Sequence, residues 1–333
     1  MAKIVGNLSA QDDFLHPLGP EPNFNESMYF NFFDPRKRLG GFVRIGNRAN
    51  EGRAEKTVCL FLPRKRVLFS FERAKIAGND AFDAGGLRFE VLDPSERLRT
   101  VYSGGVLDLR DPWALSDPSR AFRESPRRRI ALDLVHEACG PMYGQSHDDQ
   151  ESRRSADRQF AKAHYEQHMQ VSGRIDLGDE TLEIAAFGLR DHSWGPRHWQ
   201  AIERYEWLTM NFGPDLGAML TRIQVEGAEP RHGGVIVRDG ELVPITSVEI
   251  DAEYEDDTLY HRSLVARAET RDGEHHEIHG TVRGFVPLRN RRAGQVTQIG
   301  EGMTEWRFGN RTGYGISEFL RQLEPRAAES HGP

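Results

Sequence analysis

Short apolar runs, separated by glycine, proline and aspartate, continue from residue 28 almost to the end of the 333-residue chain. Runs of this length with turn residues between them are typical of antiparallel strands, whereas parallel βαβ units would need helical stretches between the strands. Asp239-Gly240 and Asp272-Gly273 supply the positive φ angles that tight hairpin turns require. A clear helical spacing of apolar residues occurs only at 316–323. The sequence therefore predicts a mainly β fold with a short C-terminal helix.

The predicted strands fall into two groups, on either side of a stretch at 146–158 that is too polar to be buried. We expect two domains, at 1–145 and 159–325, with this stretch as a linker or loop between them. The first group of strands is predicted at 28–33, 41–45, 56–62, 67–72, 87–92, 97–102, 105–109 and 130–137. The second group is predicted at 166–175, 181–189, 205–212, 217–225, 233–238, 247–254, 264–268, 275–285 and 303–308.

Two parts of the chain resemble each other. Tyr29-Phe30-Asn31-Phe32, followed by a glycine-led strand at 41–45, is matched by Thr209-Met210-Asn211-Phe212 and a glycine-led strand at 217–223. The match suggests a tandem duplication of one β unit, although short strands of similar composition can also match by chance. The fold that it favours is a pair of barrel-like antiparallel β domains.

Charge and composition argue against several classes of partner. The formal net charge is -7 and the pI is about 6.0, whereas nucleic-acid-binding domains are usually basic. The one basic cluster, at 120–129, is interrupted by Pro126 and is predicted to be a solvated loop. The chain has no long apolar run and no N-terminal signal pattern, which predicts a cytoplasmic protein without a membrane span. Cys59 and Cys139 lie too far apart in the sequence to suggest a metal site or a disulfide framework.

The densest group of chemically active side chains follows an apolar run at 182–189 that predicts a strand. A carboxyl group and a histidine can transfer protons, and an indole face can stabilise a cation. The Gly195-Pro196 pair should end the strand and place these side chains at a rim. The alternative is a structural strand end, in which the tryptophans fill a core. The group comprises Asp191, His192, Ser193, Trp194, Arg197, His198 and Trp199.

Strand alternation limits which of these side chains can meet. If the pleat continues, His192 and Trp194 share one face and Asp191 lies on the other. An Asp-His dyad would therefore need a change of backbone direction at Gly195.

Two histidine-rich strands have the composition of metal sites. His164, Glu166 and His168 share one strand face, as do His275, Glu277 and His279, but both sets are also typical of solvated faces of antiparallel strands. We interpret both as solvated and predict no metal. Gly313-Tyr314-Gly315 lacks the setting of a dinucleotide site, and no Walker sequence, nucleophile elbow or zinc-protease motif is present. The sequence thus predicts no cofactor.

Residues 191–199 resemble the family of hydroxyneurosporene synthase (carotenoid 1,2-hydratase) and AttH-like proteins. The resemblance extends to 26–31, 173–175 and 313–318, and it covers most of the chain, although only 191–199 is strongly specific. It implies two tandem lipocalin-like (calycin-type) antiparallel β-barrels. It also implies cofactor-free addition or removal of water at a carbon-carbon double bond, with Asp191, His192 and Trp194 as the catalytic residues.

The resemblance and the residues together predict a cofactor-independent lyase. It would act by acid-base catalysis on an apolar terpenoid or aromatic small molecule, as a hydratase or dehydratase, or by a related elimination such as formaldehyde release from a lignin-type dimer. The alternative is a carrier that binds an apolar ligand without turnover. The sequence leaves open whether the chain forms a homodimer.

The substrate is expected to bind in a largely apolar cavity where the two domains meet, because pockets favour domain interfaces and barrel mouths. Arg197 and Trp199 are candidates on their local chemistry alone. The predicted substrate-binding residues are Tyr29, Asn31, Tyr165, Arg197, Trp199, Asn211, Glu301, Glu305 and Tyr314.

Overall fold

The computed structural model describes residues 2–146, 163–197, 202–225, 227–256, 258–292 and 295–323, which form two β-sheets. The first sheet contains β1 (Ile4–Val5), β2 (Phe24–Asp34), β3 (Leu39–Arg48), β4 (Arg53–Phe61), β5 (Val67–Lys75), β6 (Asp83–Ala84), β7 (Leu87–Asp93), β8 (Arg97–Leu109), β9 (Arg127–Ala138), β10 (Met142–Ser146), β11 (Ala163–Asp176) and β12 (Thr181–Pro196). The second contains β13 (Ile202–Asn211), β14 (Leu216–Val225), β15 (Arg231–Arg238), β16 (Glu241–Tyr254), β17 (His261–Thr270), β18 (His275–Arg292), β19 (Gln295–Phe308) and β20 (Arg311–Leu323). The predicted mainly β fold is confirmed.

The second sheet is a closed antiparallel barrel in which each strand pairs with the next and β20 returns to β13. Most of the first sheet follows the same scheme. Eight of its strands pair in sequence, and the last pairs with the first to complete a ring. The order is β2, β3, β4, β5, β8, β9, β11 and β12. The two segments that match in sequence form the first hairpin of each ring, β2–β3 and β13–β14.

The predicted C-terminal helix is wrong, because residues 316–323 belong to β20. The strand is buried on both faces: Phe319 packs in the core of the second barrel, while Ile316 packs between the sheets. A strand covered on both faces loses the polar-apolar alternation that would have identified it. The one α-helix among the described residues, α1 (Pro118–Glu124), lies instead in the basic cluster that was predicted to be a loop.

The chain changes sheet between Pro196 and Ile202, whereas the sequence placed the domain boundary at 146–158. β11 and β12 follow that polar stretch but pair with β9 and β2, and so complete the first ring. A polar stretch indicates an exposed connection, and it does not decide which sheet the next strand joins. Residues 147–158 lie outside the described residues.

The two sheets pack against each other through their outer faces, the faces that point away from the core of each ring. Met28 and Phe30 point into the core of the first ring, and Leu208 and Met210 into that of the second barrel. A third apolar cluster joins them, in which Phe33, Phe42 and Phe61 of the first sheet meet Val286, Met303 and Ile316 of the second. This junction brings strands β2, β11 and β12 against β13, β19 and β20. No helix among the described residues has the length and hydrophobicity to span a bilayer.

A substitution at Gly188 of β12 tests how closely β12 approaches β2. A Cβ atom at this position would lie 1.8 Å from the carbonyl oxygen of Asn31, a backbone atom that cannot move aside. We expect Gly188→Ala to lower the free energy of unfolding by about 2–3 kcal/mol, the usual cost of overpacking. Gly105→Ala is the matched control, since a Cβ there would meet nothing within 4 Å. Urea unfolding followed by circular dichroism measures both, and equal stability of the two variants would contradict the proposed close approach.

Candidate functional site

The two faces of β12 separate Asp191 from His192. β12 stays paired with β2 as far as Pro196, so the pleat continues through both residues. Asp191 points to the junction, where its Oδ2 atom lies 2.6 Å from Nε2 of His164. His192 and Trp194 point into the first ring, where both are buried. The Asp-His dyad that a turn at Gly195 would have allowed does not form.

His192 belongs to a hydrogen-bonded cluster around the buried carboxylate of Glu26. Its Nε2 atom is 3.0 Å from Glu26 Oε1, and Nδ1 of His16 is 2.7 Å from the same oxygen. Asn79 donates to Glu26 Oε2 at 2.6 Å. Burial would raise the pKa of Glu26, but these hydrogen bonds outweigh it and lower the pKa to about 2. Trp194 covers the cluster, since its ring stacks on His16 with centroids 3.7 Å apart.

Tyr165, a predicted substrate-binding residue, lies beside this cluster in a second buried network. Its hydroxyl donates to Asp13 Oδ1 at 2.5 Å, and Arg190 Nη1 is also 2.5 Å from that oxygen. Arg190 donates in addition to Gln167. A fully buried ion pair is stable only when its remaining polar atoms are satisfied, as they are here. The two networks therefore hold the N-terminal turn, Ala10–Asp13, onto the first ring.

A different set of side chains faces the junction from the first sheet. They form one continuous row that crosses β10, β11, β12, β2 and β3, and each is the direct neighbour of the next. In that order of strands, the row is Tyr143, Glu166, Asp191, Tyr29 and Arg44. Directly opposed residues on one face of a sheet have Cβ atoms about 4.5–5.5 Å apart, so neighbours in the row can interact.

A shorter row faces it from the second sheet. Trp207, Glu318 and Glu301 are direct neighbours across β13, β20 and β19. The indole Nε1 of Trp207 donates to Glu166 Oε1 at 2.7 Å, and its ring meets that of Tyr29 edge-on, with centroids 5.4 Å apart. The two rows are thus in contact, and we call them together the junction site.

Glu301 and Glu318 keep their protons at neutral pH. Burial raises the pKa of each carboxyl to about 8, and the opposing effect of Arg44 is too weak to prevent this. Asp191 contributes to the raised pKa of Glu318 through charge repulsion. Glu301 Oε2 is buried and has no hydrogen-bond partner among the described residues. Two neighbouring carboxylic acids that stay protonated near pH 7 are potential proton donors.

Positive groups surround the carboxylates of the junction site. Burial would lower the pKa of His164, but Asp191 and Glu166 raise it to about 10, so the imidazole is charged at neutral pH. Burial lowers the pKa of Arg197 to about 10, and this guanidinium donates to the hydroxyl of Ser193. The side chains of His164 and Asp191 are 42% and 17% exposed, so this end of the site reaches solvent.

The remaining predicted residues are divided between the junction site and its surroundings. Asn31 bridges the two sheets, since it donates to Thr209 Oγ1 at 3.2 Å and accepts from the Leu189 amide at 3.0 Å. A separate group of three lies along β13, β19 and β20: Asn211 donates to the Tyr314 carbonyl at 3.2 Å, and the Tyr314 hydroxyl donates to Glu305 at 3.2 Å. Trp199 lies outside the described residues.

The two histidine-rich strand faces differ in their exposure to solvent. His164, Glu166 and His168 share one face as predicted, but that face is not solvated, because the second sheet covers it and leaves Glu166 and His168 buried. His275, Glu277 and His279 are exposed as predicted. The junction-site residues absent from the predicted site are Tyr143, Glu166, Arg44, Trp207 and Glu318. His164, which pairs with Asp191, was not predicted either. Alternation had identified the shared face of β11, but no local signal in the sequence tells what covers it.

Two trios of side chains within the described part of the chain could hold a metal ion. Their potential ligand atoms lie within 4.8 Å of one another: His16, Glu26 and His192 inside the first ring, and His164, Glu166 and Asp191 at the junction. Among surface depressions bounded by described residues, one of about 280 Å³ lies at Leu242–Pro244 and one of about 300 Å³ at Glu96–Arg97, and neither touches the junction site. The apolar cavity stays a prediction, since the junction residues themselves are largely ionisable.

A family model described as a domain of unknown function (DUF7064) matches residues 9–323, nearly the whole chain. The chain belongs to the DUF7064 family. No curated protein matches the sequence significantly. Among solved structures, this DUF7064 protein is similar to an AttH-like protein from Nitrosomonas europaea, with a TM-score of 0.64 and 17% identity over 96% of this chain and 99% of that one. It is also similar to CghA, with a TM-score of 0.56 and 11% identity over 91% and 88%. These similarities show a shared fold with AttH-like proteins.

The raised pKa of Glu301 predicts a pH-dependent stability. The pKa of Glu301 is about 8 in the folded protein and 4.5 when unperturbed. Between pH 4.5 and 8, Glu301 therefore holds its proton in the folded protein and loses it in the unfolded protein. The free energy of unfolding should therefore fall as pH rises from about 4.5 to 8 and then level off. We expect Glu301→Gln to remove part of this slope and to be more stable than the wild type at pH 8 by a few kcal/mol.

Urea unfolding at pH 5, 6.5 and 8 measures this slope. Glu277→Gln is the control, because Glu277 is exposed on β18 and should keep the wild-type slope. A parallel pH dependence in Glu301→Gln and the wild type would show that Glu301 ionises normally.

Proposed function

We propose that this protein is a cofactor-independent lyase whose acid-base chemistry takes place at the junction site. The observation that carries the proposal is the adjacent pair Glu301 and Glu318, which stay protonated at neutral pH opposite Tyr29, Arg44 and Asp191. Burying a carboxyl oxygen without a hydrogen-bond partner, as at Glu301 Oε2, destabilises a fold. Stability therefore gives no reason for this pair, whereas proton donation does.

The protonated carboxyls supply the acid of the reaction. In a hydration, Glu318 or Glu301 would transfer its proton to one carbon of a double bond, which leaves a positive charge on the other carbon. In a dehydration, the same proton would go to the departing hydroxyl oxygen, which leaves as water. General acid catalysis is efficient when the pKa of the donor is close to the working pH, as is the case at about 8.

The opposite row can stabilise the positive charge and handle the second proton. The rings of Tyr29 and Trp207 provide aromatic faces for a cationic centre. The Asp191 carboxylate, held by His164, is placed to take a proton from attacking water or from the carbon next to the cation. Acid and base then come from different sheets, so the reaction depends on their packing against each other.

An apolar terpenoid or an aromatic molecule is the substrate class that this arrangement favours. Aromatic rings and partly exposed ionisable groups together suit a molecule that is mostly apolar but carries one reacting hydroxyl or double bond. A phenolic substrate would allow the related carbon-carbon elimination, in which formaldehyde leaves. The fold shared with AttH-like proteins is compatible with both hydration or dehydration and formaldehyde release, and it does not distinguish between these reactions.

The proposal gives His192 and Trp194 roles that differ from those expected from the sequence. Both lie inside the first ring, on the opposite face of β12 from Asp191, so we assign them to positioning of that strand and not to contact with the substrate. His192→Ala should therefore lower stability as much as activity.

Turnover is tested by incubating the protein with alkenols, terpenoids and phenolic dimers and analysing the products by mass spectrometry. A change of about 18 mass units indicates gain or loss of water, and a loss of about 30 indicates formaldehyde release. We expect Glu318→Gln, Glu301→Gln and Asp191→Asn each to lower kcat by about 100-fold, the scale of general acid-base catalysis, while the protein remains folded.

Glu277→Gln serves as the control for these variants, because Glu277 is exposed and distant in sequence from both rows. Ligand binding without turnover by the wild type would favour the carrier function. Full activity in all three junction variants would remove the site from consideration.

Chelation gives an independent test of the cofactor-free mechanism. No step above uses a metal ion, so we expect dialysis against EDTA to leave kcat within about twofold of the untreated protein when both are assayed at a temperature where both are folded. Loss of turnover that returns on adding a metal would contradict the mechanism.

A further inference from the structure

His16, Glu26 and His192 lie together although they come from three separate parts of the first sheet. His16 belongs to the N-terminal segment that precedes β2, Glu26 to the start of β2, and His192 to the end of β12. Nδ1 of His16 and Nε2 of His192 point at the same carboxylate oxygen, at 2.7 and 3.0 Å. Two imidazoles and one carboxylate are a ligand set that divalent transition metals use.

In all three side chains, the polar atom that points away from the others has a partner of its own. For Glu26 this atom is Oε2, which accepts from Asn79 at 2.6 Å. Nε2 of His16 is 3.2 Å from Asp12 Oδ1, and Nδ1 of His192 is 3.3 Å from the Tyr165 hydroxyl. If these outer nitrogens carry the ring hydrogens, the inner nitrogens present lone pairs toward Glu26. Metal-binding histidines are oriented in this way by carboxylates and other acceptors beyond the ligands.

The spacing of the inner atoms also suits a metal ion. With bonds of about 2.1 Å, two ligand atoms are about 3.0 Å apart in an octahedral site and about 3.4 Å apart in a tetrahedral one. The two contacts to Glu26 Oε1, 2.7 and 3.0 Å, need only small side-chain shifts to reach these values. Glu26 and His192 are fully buried, and Trp194 stacks on His16, so the position is shielded from bulk water. The second oxygen of Glu26, or one enclosed water, would supply the fourth ligand atom that zinc requires.

The junction trio is the weaker candidate. It offers one imidazole and two carboxylates, and Oε1 of Glu166 already accepts the Trp207 indole hydrogen at 2.7 Å. A metal there would compete with that hydrogen bond and with the His164–Asp191 ion pair. In the inner trio, Glu26 Oε1 likewise accepts the His16 amide hydrogen at 3.0 Å and contacts both imidazoles. The inner trio is the stronger candidate because it offers two imidazoles, which divalent transition metals favour, where the junction trio offers one.

We propose that His16, Glu26 and His192 bind one divalent transition-metal ion, such as Zn²⁺, which fastens the N-terminal segment to strands β2 and β12. The metal would lie on the face of β12 opposite Asp191, so its role is structural and separate from the lyase chemistry proposed above. This proposal departs from the sequence-based prediction that the protein binds no metal. Since only the folded chain brings the three ligands together, binding stabilises the fold.

Equilibrium dialysis of the full-length, tag-free protein with Zn²⁺ tests the site. We expect one Zn²⁺ per chain and a rise in Tm on zinc binding, with no rise on adding Mg²⁺, which prefers oxygen ligands. Co²⁺ added to the metal-free protein should give visible absorption bands typical of nitrogen coordination.

Two variants locate the ion. His16→Gln keeps a hydrogen-bonding group but removes a ligand, and we expect it to weaken Zn²⁺ binding by at least about 100-fold. Asp12→Asn alters the outer partner of His16, leaves all three ligands in place and should weaken binding by about 10-fold. Asp191→Asn is the matched control, because it disables the junction trio and should bind Zn²⁺ like the wild type.

Three results would overturn the proposal. The first is a wild-type protein that binds no Zn²⁺, a measurement that does not depend on any variant folding. The second is unchanged binding in both His16→Gln and Asp12→Asn. The third is loss of the ion in Asp191→Asn alone, which would assign it to the junction. Circular dichroism of each variant shows whether it is folded before binding is measured.

Discussion

The alternation of side chains along β12 is the constraint on which the rest of the structure depends. Because β12 pairs with β11 on one side and β2 on the other, its backbone cannot rotate, and each residue is committed to one face. His192 and Trp194 are thereby enclosed in the first ring, while Asp191 is left at the junction. Adjacent residues of one motif thus take part in two unrelated networks.

These two networks differ in how far their charges are satisfied. Inside the first ring, Glu26 and Asp13 each receive several hydrogen bonds, and Glu26 is stabilised as a carboxylate. At the junction, Glu301 and Glu318 receive too little compensation to ionise at neutral pH. Satisfied buried charges hold a fold together, whereas poorly satisfied ones are typical of sites that do chemistry. This contrast is the physical basis for the proposal that the junction, and not the interior of the first ring, is the functional site.

The junction also explains why one ring alone would not form the site. Asp191 and Tyr29 come from the first sheet, and Trp207, Glu301 and Glu318 from the second. Each row lies on the outer face of its own sheet and would be exposed to solvent without the other, so the raised pKa values arise from the packing of the two sheets. A duplicated β unit can in this way produce a site that neither copy has.

The sequence by itself determined the mainly β fold, the hairpin at Asp239-Gly240 and the faces of β12, because alternation and turn chemistry act over a few residues. It did not determine that residues 316–323 form a strand, that the chain changes sheet after Pro196, or that the face of His164 and Glu166 is covered. Those features depend on which strands pair and which faces meet, over separations from a few tens of residues to more than a hundred. Only the tertiary structure brings Glu318 opposite Asp191, and Glu26 beside His192, since no local pattern records the surface against which a strand packs.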